Sequence, residues 1–129
     1  IFSATDGLAG AISGRKNLQG WAAVNDITVR GDNIEQALAG FDATGFADMP
    51  VQLLSRGQRR RLALARLLLA PSPSIWLLDE PHTGLDRDSQ IRLETAINAH
   101  LEAGGAVLAA THIDMTASAA TIHLALSLA

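Results

Sequence analysis

Two observations in the sequence predict an α/β protein with a parallel sheet. Two short apolar runs, residues 75–79 and 106–110, are bounded by turn residues and separated by a helical pattern. This strand–helix–strand order is the unit of a parallel sheet, and a right-handed crossover brings the carboxyl ends of both strands to one edge. The front third carries apolar residues at helical spacing instead. We therefore expect helices first and the core strands afterwards.

The composition is that of one globular domain. The chain has 129 residues, of which 48% are hydrophobic and 18% are charged, so it can bury a core. Its net charge of −3 argues against a nucleic-acid partner, because proteins that neutralise phosphates are normally basic. The absence of cysteine excludes a disulfide framework and a thiolate metal site. No apolar run approaches the ~20 residues that span a bilayer.

The front of the chain predicts a loop followed by two helices. Residues 1–12 are small and glycine-rich, which indicates a loop segment. Ser13 is placed to cap a helix that ends near Val24, and Asp32 to cap a second helix. Glu35 follows Asp32 by three residues, the spacing of a capping box. The apolar stripe of the second helix contains Ile34, Ala37, Leu38 and Phe41.

A third helix begins at Ser55, after a loop over 45–50, and ends at the Pro- and Ser-rich residues 71–74. Its N-terminal half is strongly basic. The predicted buried stripe contains Leu64, Leu67 and Leu68. The predicted solvent face contains Arg59, Arg60 and Arg66.

The back half predicts alternating strands and a helix. Residues 75–79 and 106–110 are apolar enough to be strands buried on both faces. Asp86 or Asp88 begins the helix between them, and Gly104 ends it together with Gly105. Its inward positions are Leu93, Ile97 and Leu101. A small-residue loop or short turn over 113–120 and a weaker strand over 121–127 follow.

Two adjacent carboxylates, Asp79 and Glu80, end the first of these strands. Like charges side by side at the end of a buried strand are costly, which points to a function. The functional interpretation is a Walker B site, where Asp79 holds Mg²⁺ through water and Glu80 polarises the water that attacks a γ-phosphate. The structural alternative is a strand that gives way to a polar loop. The following Pro-x-Thr-Gly-Leu-Asp favours the functional interpretation.

Topology adds His112 to this pair. It follows the strand over 106–110, so the parallel arrangement should place it near Asp79 and Glu80, where ligands of open α/β sheets bind. Such a histidine can contact the γ-phosphate or hold the attacking water, although a lone histidine is more often structural. The remaining histidines are assigned structural positions: His82, His100 and His123.

The segment Leu-Ser-Arg-Gly-Gln at 54–58 opens the third helix. A helix N-terminus presents free N–H groups and the positive end of the dipole, which suit a phosphate. Ser55 supplies a hydroxyl and Gly57 permits a close approach; the structural alternative is a plain N-cap. The arginines at 59–61 are interpreted as a solvated face, because no aromatic residue is interleaved for base stacking. Asp86 is either a functional residue or a helix cap.

Together these motifs resemble the ATPase subunits of ATP-binding cassette (ABC) transporters. Residues 54–58 resemble the signature motif, 75–80 the Walker B strand and 83–86 the D-loop, and His112 resembles the switch histidine. The resemblance implies a P-loop NTPase-like fold, with ATP and Mg²⁺ as ligands and ATP hydrolysis coupled to transport. It divides the chain into a segment after the Q-loop at 1–12, a helical subdomain at 13–70 and part of the RecA-like core at 71–129.

The family's head-to-tail dimer implies how these residues are used. The signature of one subunit closes over the ATP of the other, so Ser55, Arg56, Gly57 and Gln58 would contact the partner's nucleotide. Asp79, Glu80 and His112 would serve the subunit's own pocket, the last two in catalysis and Asp79 as a Mg²⁺ ligand through water. Asp86 of the D-loop would lie near the boundary between the two.

A closer similarity is to the CcmA family, the haem exporter ATPases of bacterial cytochrome c biogenesis. It rests on residues 45–51, on the signature helix that follows them and on residues 104–112. The similarity implies membrane subunits of the CcmB and CcmC type and a peripheral place on the cytoplasmic face of the inner membrane.

The chain departs from the family pattern in three respects. Arg56 replaces the usual glycine of the signature, Thr5 falls at the Q-loop glutamine position, and no Gly-x-x-x-x-Gly-Lys-Ser/Thr occurs in the chain. The first departure is not read as inactivation, because CcmA-like sequences often lack this glycine. Because the P-loop is missing, we expect a fragment whose P-loop lies upstream and which has no ATPase activity alone. The alternatives are the ATPase of another ABC exporter, a non-transport ABC protein, or a non-catalytic module derived from the family.

Overall fold

The computed structural model describes residues 2–4 and 7–111, and these form an α/β fold, as predicted. Its sheet has three parallel strands in the order β1 (Phe2–Ala4), β2 (Ile75–Asp79) and β3 (Ala106–Ala110). The strands predicted over 75–79 and 106–110 have the expected bounds. Strand β1 was predicted to be loop; with three residues it is too short to show an alternating pattern, and its pairing with β2 defines it.

In the part of the chain that the structure describes, four α-helices accompany the sheet: α1 (Gly14–Val24), α2 (Asn33–Gly40), α3 (Arg56–Ala65) and α4 (Arg87–Glu102). Two short 3₁₀ turns, Thr44–Phe46 and Val51–Leu53, lie in the connection between α2 and α3. The first of them overlaps the loop predicted over 45–50. None of the described helices is long and apolar enough to cross a membrane.

The predicted caps of α1 and α2 have different outcomes. The Ser13 hydroxyl accepts the Lys16 backbone N–H, as predicted. The capping box at Asp32 is wrong: its carboxylate makes no cap bond and instead accepts the side-chain amide of Gln36 at 3.1 Å. Glu35 forms an ion pair with Arg15. The distant arginine and the i+4 amide therefore compete successfully with the local backbone for these carboxylates.

Helix α3 differs from its prediction in length and in orientation. It ends at Ala65 and continues as a 3₁₀ turn, Arg66–Leu69, which rotates Leu68 outward to 37% exposure. Arg60 and Arg66, expected on the solvent face, are buried. Both guanidinium groups donate hydrogen bonds to backbone carbonyls: Arg60 to those of Asp79 and Glu80, and Arg66 to that of Gly7 at 2.9 Å. Hydrogen-bond partners on other elements thus decide the orientation against the usual preference of arginine for water.

The strands are covered on one face, not on both. Along β2, Trp76 and Leu78 are buried while Ile75 is 44% exposed, and in β3 Leu108 is 60% exposed. The prediction of strands buried on both faces is therefore wrong for this part of the chain. Trp76 and Leu78 belong to one continuous core with Leu93 and the helices of the front third.

The largest fully buried side chains lie mainly on the helices. They are Phe41, Leu18, Leu38, Leu62, Leu64, Leu67, Leu93, Pro81 and Ser89. Leu93 and Ile97 point inward from α4 as predicted, while Leu101 is only partly buried. The shared core means that the strand end and the start of α3 are held in fixed relation by packing.

His100 anchors the end of α4 to the sheet. Its ring stacks on Trp76 with centroids 3.9 Å apart, and its Nε2 lies 2.8 Å from the Ser74 oxygen and 3.2 Å from the Ala106 oxygen. The prediction of a structural role is consistent with this geometry. Gly104 ends the helix with a positive φ of 91°.

Candidate functional site

The turn after β2 holds the two predicted carboxylates. Asp79 is exposed and Glu80 is partly buried. Glu80 adopts φ 44°, a left-handed conformation that is uncommon outside glycine. Its backbone N–H donates to the Ala110 oxygen at 2.7 Å, and its carbonyl accepts the Thr83 N–H at 3.1 Å. The backbone of Glu80 is thus fixed both by β3 and by the turn that follows it.

A cleft of about 130 Å³ opens beside these carboxylates. Its lining consists of Arg56, Arg60, Asp79, Glu80 and Thr83. The cleft therefore brings residues from the start of α3 together with the end of β2. Two carboxylates and two guanidinium groups in one concave place form a site able to hold both a cation and an anion.

A capping box formed by Ser55 and Gln58 begins α3. The Ser55 hydroxyl accepts the Gln58 backbone N–H at 3.2 Å, and the Gln58 side chain accepts the Ser55 N–H at 2.9 Å. The sequence predicted the Ser55 cap but not this use of Gln58, which the Ser-x-x-Gln spacing could have indicated. Ser55 and Arg56 remain exposed.

A second cleft, of about 160 Å³, lies between the start of α3 and the turn over 83–86. Its lining residues are Ser55, Gly57, Gln58, Arg61, Gly84, Leu85, Asp86 and Ser89. A Cβ placed on Gly57 would lie 3.2 Å from the Gly84 oxygen, so the two segments pack closely. This turn requires a left-handed φ of 79° at residue 84, which glycine adopts without a steric penalty.

Asp86 is the N-cap of α4. Its carboxylate accepts the Ser89 backbone N–H at 2.8 Å. The side-chain and backbone hydrogen bonds from Ser89 lower the pKa of Asp86 below its ordinary 3.8, and the positive charge of Arg61 adds to this. The capping interpretation of Asp86 is therefore correct; a further role at a nucleotide stays a prediction.

Two predicted site residues, His112 and Thr5, lie outside the described residues, as do His123 and the segments 113–120 and 121–127. The topology that motivated His112 is confirmed nonetheless. β2 and β3 are parallel, and Asp79 is in register with Ala110. The chain therefore leaves β3 directly beside Glu80.

Arg60 is a residue of this site that the sequence reasoning missed. It was interpreted as part of a solvated face, yet it is 7% exposed. Its guanidinium donates to the carbonyl oxygens of Asp79 and Glu80, each at 3.3 Å. Spacing could have revealed it, because Arg60 precedes the buried Leu64 by four residues and Leu67 by seven, on the same face of the helix.

His82, predicted to have a structural position in a loop, lies in the turn after β2. It is buried, and its Nε2 lies 3.6 Å from a carboxylate oxygen of Glu94 on α4. It therefore packs the turn against α4, and it does not line either cleft.

The chemistry of the donors fits a water-linked magnesium ion. The described residues contain no group of three or more His, Cys, Asp or Glu side chains that could enclose a metal. Mg²⁺ does not need such a group, since it is commonly held by one or two carboxylates together with waters and substrate phosphates. Asp79, exposed at the edge of the cleft, suits that arrangement.

Curated relatives resemble this chain over most of its length. It is 45% identical over 117 residues to the "cytochrome c biogenesis ATP-binding export protein CcmA" of Rhodobacter capsulatus, covering 91% of this chain and 52% of the relative. The protein of the same name from Ruegeria pomeroyi is 47% identical over 111 residues, covering 86% of this chain and 52% of the relative. The chain thus spans about half the length of these relatives.

Solved structures share the fold. An ABC transporter ATP-binding protein from Pyrococcus furiosus superposes with a TM-score of 0.73 at 24% identity, covering 87% of this chain and 56% of that one. An ATP-binding cassette solved as a dimer in a post-hydrolysis state with ADP and Pi gives 0.72 at 23% identity, covering 86% and 51%. The family model described as "ABC transporter" matches residues 2–83, more than half of the sequence. The chain therefore belongs to the ABC transporter family, as its motifs predict.

Proposed function

We propose that this chain forms part of the ATP-binding subunit of an exporter that acts in cytochrome c biogenesis. The observation that carries the proposal is the pair Asp79 and Glu80, fixed at the carboxyl end of β2 in a cleft shared with the start of α3. The relatives named CcmA, at 45% and 47% identity, support the choice of pathway.

In the subunit's own nucleotide pocket, the two carboxylates would have separate roles. Asp79 would hold Mg²⁺ through water, and the ion would neutralise charge on the phosphates. Glu80 would orient and polarise the water that attacks the γ-phosphate. His112, which follows β3 at the same edge, would contact that phosphate. Thr5, at the Q-loop position, lacks the amide that the family uses there.

The second cleft serves a different nucleotide in this proposal. Ser55 and Gly57 lie at the exposed start of α3, where backbone N–H groups and the helix dipole favour a phosphate. Arg56 and Gln58 complete the signature. A head-to-tail dimer would bring this surface over the ATP of the partner subunit, and a related cassette was solved as a dimer with ADP and Pi.

The partners and the location follow from the same assignment. Two ATP-binding subunits would close on ATP and reopen after hydrolysis. Membrane subunits of the CcmB and CcmC type would convert this motion into export or release of haem. The ATP-binding subunit would then sit peripherally on the cytoplasmic face of the bacterial inner membrane.

The test uses the full-length protein with Glu80→Gln, and Glu94→Gln as the matched control. Glu94 lies on α4 beside His82 and lines neither cleft. We expect Glu80→Gln to retain ATP binding while ATP turnover falls by roughly 10²-fold or more, because general-base assistance contributes that much. Glu94→Gln should keep its turnover.

The same variant tests the pathway in cells. A strain lacking the gene should lose c-type cytochromes, and these should return with the parent gene but not with Glu80→Gln. Normal ATP turnover by Glu80→Gln would remove it as the catalytic carboxylate. Normal cytochrome c in the deletion strain would instead refute the pathway while leaving the ATPase assignment intact.

A further inference from the structure

Arg60 ties the signature helix to the end of β2. It is the fifth residue of α3, and it lies buried between that helix and the turn after β2. Its guanidinium donates to the carbonyl oxygens of Asp79 and Glu80 at 3.3 Å each. A buried guanidinium is unfavourable unless its N–H groups are paired, and these two carbonyls contribute to that pairing.

The contact falls on a backbone segment that needs support. Glu80 has a left-handed φ of 44°, which for a non-glycine residue persists only where surrounding groups fix it. The Glu80 N–H is held by Ala110 on β3, and its carbonyl by Thr83 in the turn and by Arg60 on α3. Three elements therefore determine the direction in which the Glu80 side chain leaves the backbone.

The neighbouring arginines have other targets. Arg59 donates to the carbonyls of Val51 and Gln52, in the turn before α3. Arg61 donates to the Asp42 carbonyl and lies over the Phe46 ring, 4.9 Å from its centroid. The contact with the carboxylate-bearing strand end is thus a property of the Arg60 position and not of the basic run as a whole.

We propose that Arg60 is a positioning residue, which couples the position of the signature helix to the orientation of Glu80. This rests on the proposed function. The start of α3 would contact the nucleotide of the partner subunit, whereas Glu80 acts in the subunit's own pocket. Movement of α3 on closure would therefore be transmitted to the Glu80 backbone through the planar guanidinium of one buried side chain.

Steady-state ATP hydrolysis by the full-length protein tests the proposal. Arg60→Met removes the donors at similar volume, and Arg60→Lys retains donors and charge. Arg92→Met is the matched control, because Arg92 also donates to two consecutive carbonyls, those of Ala39 and Gly40, away from both clefts. Turnover is normalised to the number of ATP-binding sites, so that unfolded protein does not count.

We expect Arg60→Met to lower kcat by roughly 10- to 100-fold, the scale of a small misplacement of a catalytic group, with little change in KM for ATP. Arg60→Lys should recover most of kcat. Arg92→Met should match the parent. A merely structural role would lower the number of active sites and leave kcat per site unchanged, and that result would overturn the proposal.

Two further arms keep the outcome unambiguous. If Arg60→Met does not fold, Arg60→Gln is judged by the same split between kcat and KM. Glu80→Gln is measured in parallel: if it is inactive while Arg60→Met is normal, the positioning role fails alone. If Glu80→Gln turns over normally, the proposed function of Glu80 itself fails.

Discussion

At the scale of single residues, backbone carbonyls decide where the arginines of α3 go. Arg59, Arg60 and Arg61 are consecutive, yet they reach carbonyls in three different segments. Each guanidinium offers several donors in a fixed plane, so it can bind two backbone carbonyls at once. A basic run in the sequence is here a set of three separate tertiary contacts.

The N-cap of α4 makes a prediction about pH. The hydrogen bonds from Ser89 lower the pKa of Asp86 below 3.8 in the folded protein. Because the folded pKa lies below the unfolded one, the ionised cap stabilises the fold above the unfolded value. That contribution is lost as the pH falls through the folded pKa. Asp86→Asn keeps an N-cap acceptor but does not titrate.

The measurement is equilibrium urea unfolding of the parent and of Asp86→Asn at a series of pH values. The parent should be the more stable of the two near neutral pH, and the difference should shrink once the pH falls below 3.8. A difference that stayed constant over this range would show that the charge of Asp86 does not stabilise the helix.

At the scale of elements, His100 fastens α4 to the starts of β2 and β3. A Cβ placed on Gly105 would lie only 2.3 Å from two atoms of the His100 ring. The ring cannot move aside without leaving its stack on Trp76 and its two carbonyl partners. The absence of a side chain at 105 is therefore a packing requirement.

Gly105→Ala should consequently destabilise the protein, by about 1–3 kcal/mol as an overpacked site. A double-mutant cycle with His100→Ala identifies the cause: once the ring is gone, the same Gly105→Ala change should cost much less. Gly20→Ala serves as the control. Gly20 lies inside α1, and a Cβ placed on it would meet nothing within 4 Å. That variant should gain up to about 1 kcal/mol in urea unfolding. Equal costs of Gly105→Ala with and without His100 would contradict the explanation.

At the scale of the whole molecule, local patterns predicted the order of elements and the parallel pairing. Strands over 75–79 and 106–110, the Ser13 and Ser55 caps and the glycine stop at 104 depend on nearby residues, and all are found. Most of the predictions that failed concern residues whose partners lie far along the chain. Arg60 is buried, and it donates to carbonyls 19 and 20 residues away. Glu35 forms an ion pair with Arg15 and does not complete the predicted capping box.

In the candidate site, too, the sequence predicted some features and missed those that depend on residues far apart in the chain. That Asp79 and Glu80 end a strand beside β3 could be predicted from topology, because the crossover rule fixes the shared edge. That the start of α3 lines the same cleft could not, since no local pattern relates residue 56 to residue 79. The three-residue strand β1 was missed for a similar reason: pairing with β2, and not its own sequence, makes it a strand.

We propose that the chain contributes one half of each of two nucleotide sites. Ser55 and Gly57 would contact the nucleotide of a partner subunit, and Asp79 with Glu80 would serve the subunit's own. Mixed dimers of the full-length protein test this most directly. One subunit carries Ser55→Arg, which blocks the signature, and the other carries Glu80→Gln. Each variant alone should be inactive as a homodimer.

In the mixed dimer, head-to-tail pairing places both substitutions in one site and leaves the other site intact. The predicted result is therefore that ATP hydrolysis, absent from either variant alone, returns when the two are combined. If hydrolysis stays absent in purified mixed dimers that bind ATP, the signature serves the pocket of its own chain, and the division of the two clefts between two nucleotides is contradicted.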